Sequence, residues 1–147
     1  MRALARSSST QVRSYGMAKD APSSHPASSN AELAQAQVSA FLAIAADAII
    51  SLDDRLRITL FNEGAATMFG YRPSEIVGQP LDILIPERMR SRHPRHVADF
   101  SASPIAARKM GERQEIFARR KDGSEFPAEA SIAKQMIDGR KSYMVVL

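Results

Sequence analysis

Cysteine is absent from the 147 residues of the chain, and this absence removes several classes of chemistry. No disulfide, cysteine-ligated zinc site, iron–sulfur cluster or thiol nucleophile is available, and no chromophore can be attached through a thiol. Tryptophan is absent too, and aromatic residues make up only 6% of the chain, so the core must rely on aliphatic side chains, methionine and a few phenylalanines. The lack of cysteine fits a reducing compartment, and we predict a cytoplasmic location.

The chain also lacks long apolar runs and a general excess of one charge. No run approaches the roughly 20 residues that span a bilayer, so no membrane span is predicted. The net charge of +4 belongs to residues 1–19, which carry four basic residues and no acid; the remaining basic and acidic residues cancel. We therefore predict no nucleic-acid binding. Because no catalytic triad, phosphate loop or paired carboxylate set is recognisable, we predict that the chain is not an enzyme by itself.

The first part of the chain divides at Ser29. Residues 1–28 are rich in Ser, Ala, Pro and Arg without hydrophobic periodicity, which predicts a disordered tail; a transit peptide, or a translation start at Met17, is the alternative. Ser29 and Glu32 have capping-box spacing, and residues 29–45 predict an amphipathic helix. Its apolar stripe needs a partner, either the domain's own sheet or a second subunit, and comprises Ala34, Val38, Phe41, Leu42 and Ala45.

Residues 46–147 predict a folded α+β domain. Residues 48–52 and 56–61 form a first hairpin, Asn62 caps a short helix that Gly70 ends, and Pro73 starts another helix. Residues 87–109 are strongly basic and predict one helix, with a possible break at Pro94, followed by a loop around Pro104. Residues 112–133 predict strands flanking Asp122 and Gly123, and residues 142–147 predict a last strand. This order is typical of an antiparallel sheet covered by short helices.

The second hairpin indicates which side chains face the core. Apolar residues alternate with polar ones, so the inward set is Phe126, Ala128, Ala130 and Ile132. A two-residue turn would place Glu115 opposite Ala130 and Arg119 opposite Phe126. A three-residue loop over residues 122–124 would instead place Ile116 opposite Ala130 and Ala118 opposite Ala128, with Gln114 turned inward opposite Ile132. We prefer the second register because it pairs apolar residues with apolar residues.

Several short segments, in this order and spacing, resemble PAS domains, the sensor modules of bacterial histidine kinases and cyclic-di-nucleotide enzymes. They are ADAII at 46–50, FNEGA at 61–65, MFGY at 68–71, EIVGQ at 75–79, IPER at 85–88 and RKDGSEFP at 120–127. The resemblance implies a five-stranded antiparallel sheet with short helices over one face and a ligand pocket between them. It also implies an effector that follows Leu147, so that the chain is an input module without its output.

Within that family, RSRH at 90–93 resembles the haem-ligand segment of the oxygen-sensing FixL-type subgroup, which would make His93 the axial iron ligand and Gln114 the distal hydrogen-bond donor. Pro94 and the uncharged Gln114 depart from that subgroup. His96 is a second candidate ligand. A non-covalent flavin is a further alternative, and the cofactor is left open. The small Ala128 and Ala130, with Ile116 and Ile132, predict a cavity unless Phe61, Met68 and Phe69 fill it.

Three hypotheses follow. The first is a sensory input domain that binds a small ligand or partner and relays the change to an effector, a histidine kinase or a cyclic-di-nucleotide enzyme. The second is a haem-binding gas sensor that uses His93. The third is a ligand-free dimerisation module, in which the helix over residues 29–45 forms the homodimer.

Overall fold

The computed structural model describes residues 26–110 and 115–147. The predicted tail, residues 1–28, therefore lies outside the described residues except for its last three, which begin a helix. Gln114 also lies outside them. Within the described residues, no helix has both the length and the apolarity needed to cross a membrane.

The N-terminal helix α1 spans Pro26–Ile44 and so begins three residues before Ser29. The prediction that Ser29 caps this helix is wrong, because Ser29 lies inside it. Of the predicted apolar stripe, only Leu42 and Ala45 are half-buried. Phe41, which belongs to the stripe, is 64% exposed, and the nearby Ile44 is 82% exposed. The domain's own sheet therefore leaves the stripe of α1 uncovered, and the helix contacts the domain chiefly through the short helix α2 described below.

The predicted five-stranded antiparallel sheet is confirmed. Its strands are β1 (Ile49–Leu52), β2 (Ile58–Phe61), β3 (Ala107–Met110), β6 (Ala130–Ile137) and β7 (Arg140–Val146), in the spatial order β2-β1-β7-β6-β3. The last strand lies beside the first, with Ile50 opposite Val145. One face of this sheet carries the core residues Ile50, Ile132 and Val145, each no more than 7% exposed.

The second hairpin consists of β4 (Ile116–Arg119) and β5 (Glu125–Ala128), which form a separate two-stranded sheet. Ile116 lies opposite Ala128, and Ala118 lies opposite Phe126. The register that we preferred, with a three-residue loop over residues 122–124, is therefore wrong by two residues. The alternative register, with a two-residue turn, is wrong by one residue. Ala130 instead lies in β6, opposite Met110. A shift of two residues keeps the same face inward, and the predicted alternation from Phe126 to Ile132 is therefore confirmed by burial.

The turn of this hairpin explains the shift. The Arg120 N–H donates to the Ser124 carbonyl at 2.8 Å, which makes residues 121–123 the loop in place of residues 122–124. Gly123 adopts a left-handed φ of 88°, a conformation that glycine takes without steric cost. The Asp122 carboxylate accepts hydrogen bonds from the Ser124 N–H at 2.9 Å and the Ser124 hydroxyl at 2.6 Å.

Residues 87–110 differ from the predicted single helix and loop. They form α4 (Glu87–Arg90), α5 (His93–Ala102) and the edge strand β3. Pro94 lies in the first turn of α5, where a missing N–H breaks no helical hydrogen bond, and so it does not interrupt the helix. Lys134 holds the other end of α5, since its Nζ donates to the carbonyl oxygens of Phe100 at 2.8 Å and Ser101 at 3.2 Å and also to that of Ser103.

Three short helical segments follow β2. The helix α2 (Glu63–Phe69) begins after Asn62 and ends at Gly70, as predicted. The helix α3 (Pro73–Ile76) starts at its proline, and a 3-10 helix spans Leu81–Leu84. The β4–β5 turn is fixed to α2, because the Lys121 N–H donates to the Phe69 carbonyl at 2.9 Å.

The Lys121 ammonium also ties the turn to α3. Its Nζ lies 2.8 Å from one Glu75 carboxylate oxygen and 2.9 Å from the other. Hydrogen bonds from Arg72 and then from Lys121 lower the pKa of Glu75 to about 2. Arg120 fixes the turn as well, because its Nε donates to the Met68 carbonyl of α2 at 3.0 Å.

The buried Asn62 side chain connects three elements. Its Oδ1 accepts hydrogen bonds from the Ile49 N–H at 2.8 Å and the Ala65 N–H at 2.9 Å. Its Nδ2 donates to the Leu42 carbonyl at 3.1 Å and the Asp47 carbonyl at 3.0 Å. One amide group thus joins the end of α1, the start of β1 and the first turn of α2, with both donors and two acceptor positions satisfied.

Gly64 allows the linker between α1 and β1 to lie directly against α2. A Cβ atom at this position would be 2.3 Å from the Asp47 carbonyl oxygen and 2.8 Å from that of Ala46. Both are backbone atoms that cannot move aside as a flexible side chain would. The glycine is therefore required by close packing, although glycine in a helix is ordinarily unfavourable.

Asn62→Ala removes all four of these hydrogen bonds and leaves buried backbone groups without partners. Because each of the two fully buried groups, the N–H groups of Ile49 and Ala65, costs about 1–3 kcal/mol when it is left without a partner, we expect the free energy of unfolding, measured by urea denaturation, to fall by about 2–6 kcal/mol. Asn30→Ala, on the exposed surface of α1, is the matched control and should change it by less than about 0.5 kcal/mol. Equal effects of the two substitutions would show that the Asn62 amide is not a structural joint.

Candidate functional site

A cavity of about 850 Å³ lies between the inner face of the sheet and the helices. This volume is within the range of small-molecule sites in proteins, about 300–1,000 Å³. Most of its lining is aliphatic, with contributions from the sheet, from the 3-10 helix and from α5. Representative residues are Ile50, Ile132 and Val145 on the sheet side and Leu84, Val97 and Phe100 on the helical side.

Small side chains and a fixed aromatic cluster explain why this space stays open. Ala118, Ala128 and Ala130 all line the cavity. Phe69 lines one wall, with its ring centroid 5.6 Å from that of Phe126, and Phe61 packs 6.0 Å from Phe69. These rings hold each other at one end of the space, so the predicted cavity is present and the alternative, that these rings fill it, is not observed.

Six of the seven predicted site residues are brought together around the cavity. The lining includes both predicted histidines and the predicted apolar positions, namely His93, His96, Ile116, Ala128, Ala130 and Ile132. Gln114, the seventh, lies outside the described residues. Their roles in binding stay predictions.

His93 is the first residue of α5, and its imidazole is largely covered. The buried Nδ1 atom has no hydrogen-bond partner among the described residues. The nearest carboxylate oxygen, Oδ1 of Asp82 in the 3-10 helix, is 3.9 Å away. Burial lowers the pKa of His93 from its ordinary value of 6.5; the Asp82 carboxylate opposes this effect and His96 adds to it.

Cationic side chains stand at the rim of the cavity. Four of them line it, Arg88, Arg92, Arg108 and Lys109, against one carboxylate, Glu115, among the described residues. The basic character of residues 87–109 is visible in the sequence, but the placement of Arg108 and Lys109 there depends on strand β3, which the sequence reasoning missed.

The lining of the cavity includes the side chains that an iron porphyrin requires, namely histidine and arginine. Among the described residues, no group of three or more His, Asp or Glu side chains could hold a metal ion. Haem needs only one axial imidazole, and arginines can pair with its propionates. The Nδ1 of His93 lies 3.9 Å from the Asp82 carboxylate, which is longer than the hydrogen bond by which a carboxylate orients a ligating imidazole. The residues present therefore fit haem in kind.

The pKa of His93 can be measured by a histidine NMR titration, and we expect a value below 6.5. The unfolded chain then binds the proton more readily than the folded chain, so the free energy of unfolding should fall as the pH drops through 6.5. This fall should be smaller in His93→Asn, which lacks the imidazole. Asp82→Asn should lower the pKa of His93 further, because it removes the opposing charge. Asp99→Asn, on the exposed side of α5, should leave it unchanged. A pKa at or above 6.5 would contradict the buried position of this imidazole.

Comparison with known proteins gives one consistent family. The family model described as PAS domain matches residues 46–147. The Sensor protein FixL of Bradyrhizobium diazoefficiens is 33% identical over 95 residues, which are 63% of this chain and 18% of that protein. The Oxygen sensor protein DosP of Escherichia coli is 26% identical over 98 residues, which are 67% of this chain and 12% of that protein. The chain thus spans less than a fifth of the length of either relative.

A solved structure has the same fold. The PAS domain of an HTR-like protein from Haloarcula marismortui superimposes with a TM-score of 0.67 at 19% identity, covering 82% of this chain and 94% of that one. The family model covers more than half of the chain, and the five-stranded sheet with its helices is the fold that the resemblance implied. The chain belongs to the PAS domain family.

Proposed function

We propose that this PAS domain is the sensory input module of a larger signalling protein and that it binds a small molecule in the cavity. The observation that carries this proposal is the cavity of about 850 Å³ between the sheet and the helices, which is lined in large part by residues of the hydrophobic core. Such a domain is not itself catalytic. Its output would come from an effector elsewhere in the protein, a histidine kinase or a cyclic-di-nucleotide enzyme.

A chain of contacts leads from the cavity to α1. Phe69 lines the cavity and packs on Phe61, and Phe61 is followed directly by Asn62. The Asn62 amide donates to the Leu42 carbonyl near the end of α1. A ligand that favours one packing of the cavity wall would therefore shift the balance between two positions of α1, in proportion to its difference in affinity for them.

The exposed stripe of α1 supports a homodimer as the means of relay. Val38 is 59% exposed and Phe41 is 64% exposed, which is unusual for large apolar side chains on one helix face. A second copy of the chain would cover this face and would couple two cavities to one pair of helices. The location proposed for the protein is the cytoplasm.

Ala130→Leu places a larger side chain in the cavity and should abolish binding of the neutral fluorescent probe N-phenyl-1-naphthylamine, with an unchanged far-ultraviolet circular dichroism spectrum. Ala133→Leu is the matched control, because Ala133 lies on the opposite face of the same strand. In the wild-type chain, saturating probe should also change the dimer dissociation constant in analytical ultracentrifugation. Equal binding of the probe to the wild-type chain and to Ala130→Leu would show that the probe does not occupy the cavity.

A haem-binding sensor is the second candidate, favoured by the position of His93. Its imidazole lines the cavity with an unpartnered Nδ1 near Asp82, and two relatives are an oxygen sensor protein and the sensor protein FixL. His93 would be the axial ligand and Arg92 a partner for a propionate. Haem would supply an iron centre that binds a diatomic gas.

Titration of the purified protein with haemin tests this second candidate by visible absorption. If the candidate is right, a Soret band of a histidine-ligated haem appears, His93→Ala loses it and His96→Ala keeps it. Loss of the band only in His96→Ala would move the axial ligand to that residue. Absence of the band in the wild-type protein would eliminate haem.

A further inference from the structure

The interior and the rim of the cavity differ in chemistry. The deep lining is formed by aliphatic side chains together with Phe69, Phe100 and Tyr143. Charged groups line the cavity only through long side chains that also reach solvent, and most of them are cationic. A ligand that satisfies both parts must have an apolar body and a polar end that carries negative charge.

Two of the four rim cations already have acidic partners within the chain. Arg88 forms an ion pair with Glu125 and lies 5.2 Å from the centre of the Phe117 ring. Lys109 is 3.5 Å from the Glu129 carboxylate. These two charges are largely compensated and need no ligand.

The other two rim cations, Arg92 and Arg108, form no ion pair within the described part of the chain. The Arg108 guanidinium lies 4.9 Å from the centre of the Phe100 ring, and Phe100 is a buried wall of the cavity. This contact holds the guanidinium against the cavity wall. Among the described lining residues, Glu115 offsets one of these two charges, and the remaining charge of about one positive unit is one that a monoanion would neutralise.

We propose that the cavity takes an anionic amphiphile, a single aliphatic chain with a carboxylate head, whose chain lies in the apolar interior and whose head is held at the rim by Arg108 and Arg92. This inference rests on the proposed function, since it presupposes that the cavity binds a ligand. A guanidinium suits a carboxylate because its parallel N–H groups match the two oxygens. The few aromatic and many aliphatic lining residues favour a flexible chain over a stacked ring system.

The test is isothermal titration calorimetry of the whole chain with three ligands of equal chain length, decanoate, decanol and decylamine. We expect decanoate to bind at least about tenfold more tightly than decanol, and decylamine to bind most weakly, since one charge-assisted hydrogen bond is worth about a factor of ten. Arg108→Gln and Arg92→Gln should each weaken decanoate binding by about five- to tenfold and leave decanol binding unchanged. Arg140→Gln, in an exposed residue outside the cavity lining, is the matched control.

Several outcomes would overturn the proposal. Equal affinities for decanoate and decanol, or undiminished decanoate binding in both rim variants, would show that the rim does not select an anion, while the cavity could still bind the neutral naphthylamine probe as the proposed function requires. Binding of haemin without binding of decanoate would assign the rim arginines to porphyrin propionates instead. Failure of the neutral probe and of all three decyl compounds would reject the proposed function itself. Circular dichroism of each variant establishes that it is folded.

Discussion

The buried amide of Asn62 is the interaction on which the arrangement of this domain depends. The link between α1 and β1 has few side chains with which to hold itself in place, and its backbone groups need partners as any buried backbone does. One side chain provides them, with Nδ2 on the carbonyls of Leu42 and Asp47 and Oδ1 on the N–H of Ile49. The same Oδ1 caps α2, so the first helix, the first strand and the first helix over the cavity share one fixed point.

Close packing at Gly64 is a second constraint, in addition to the Asn62 hydrogen bonds. Gly64 lets the linker lie so close to α2 that the position of one fixes the position of the other. Phe61 and Phe69 then carry this geometry to the cavity wall. The cavity itself exists because small residues on the inner face, Ala118, Ala128 and Ala130, leave space that rigid rings at one end do not fill.

Local rules predicted the parts of the structure that depend on local chemistry. The cap at Asn62, the end of α2 at Gly70 and the inward alternation from Phe126 to Ile132 each follow from residue type and spacing, and each is present. The resemblance to PAS domains supplied the sheet and the pocket. The β4–β5 register was missed because a two-residue shift leaves the same residues facing inward; the hydrogen bonds and conformation of the turn decide it.

The long-range contacts of the structure could not be predicted from the sequence. The strand β3 lies at the edge of the sheet with mostly exposed residues, so its segment shows no hydrophobic alternation. Without that strand, Arg108 could not be placed over the Phe100 ring, and the cationic rim of the cavity could not be predicted. Asn62 was recognisable as a helix cap from its residue type and position. Its hydrogen bonds to the carbonyls of Leu42 and Asp47, however, join residues 20 and 15 positions apart along the chain, and no local sequence pattern predicts them.

Native-state hydrogen exchange tests most directly whether the Asn62 amide is a structural joint. The backbone N–H groups of Ile49 and Ala65 donate to its Oδ1, whereas the N–H of Arg55 donates to a carboxylate in an exposed turn. We expect the amides of Ile49 and Ala65 to exchange together, as slowly as those of the central strands, because they open only when the domain unfolds. Exchange of these two amides at the rate of the Arg55 amide would contradict it.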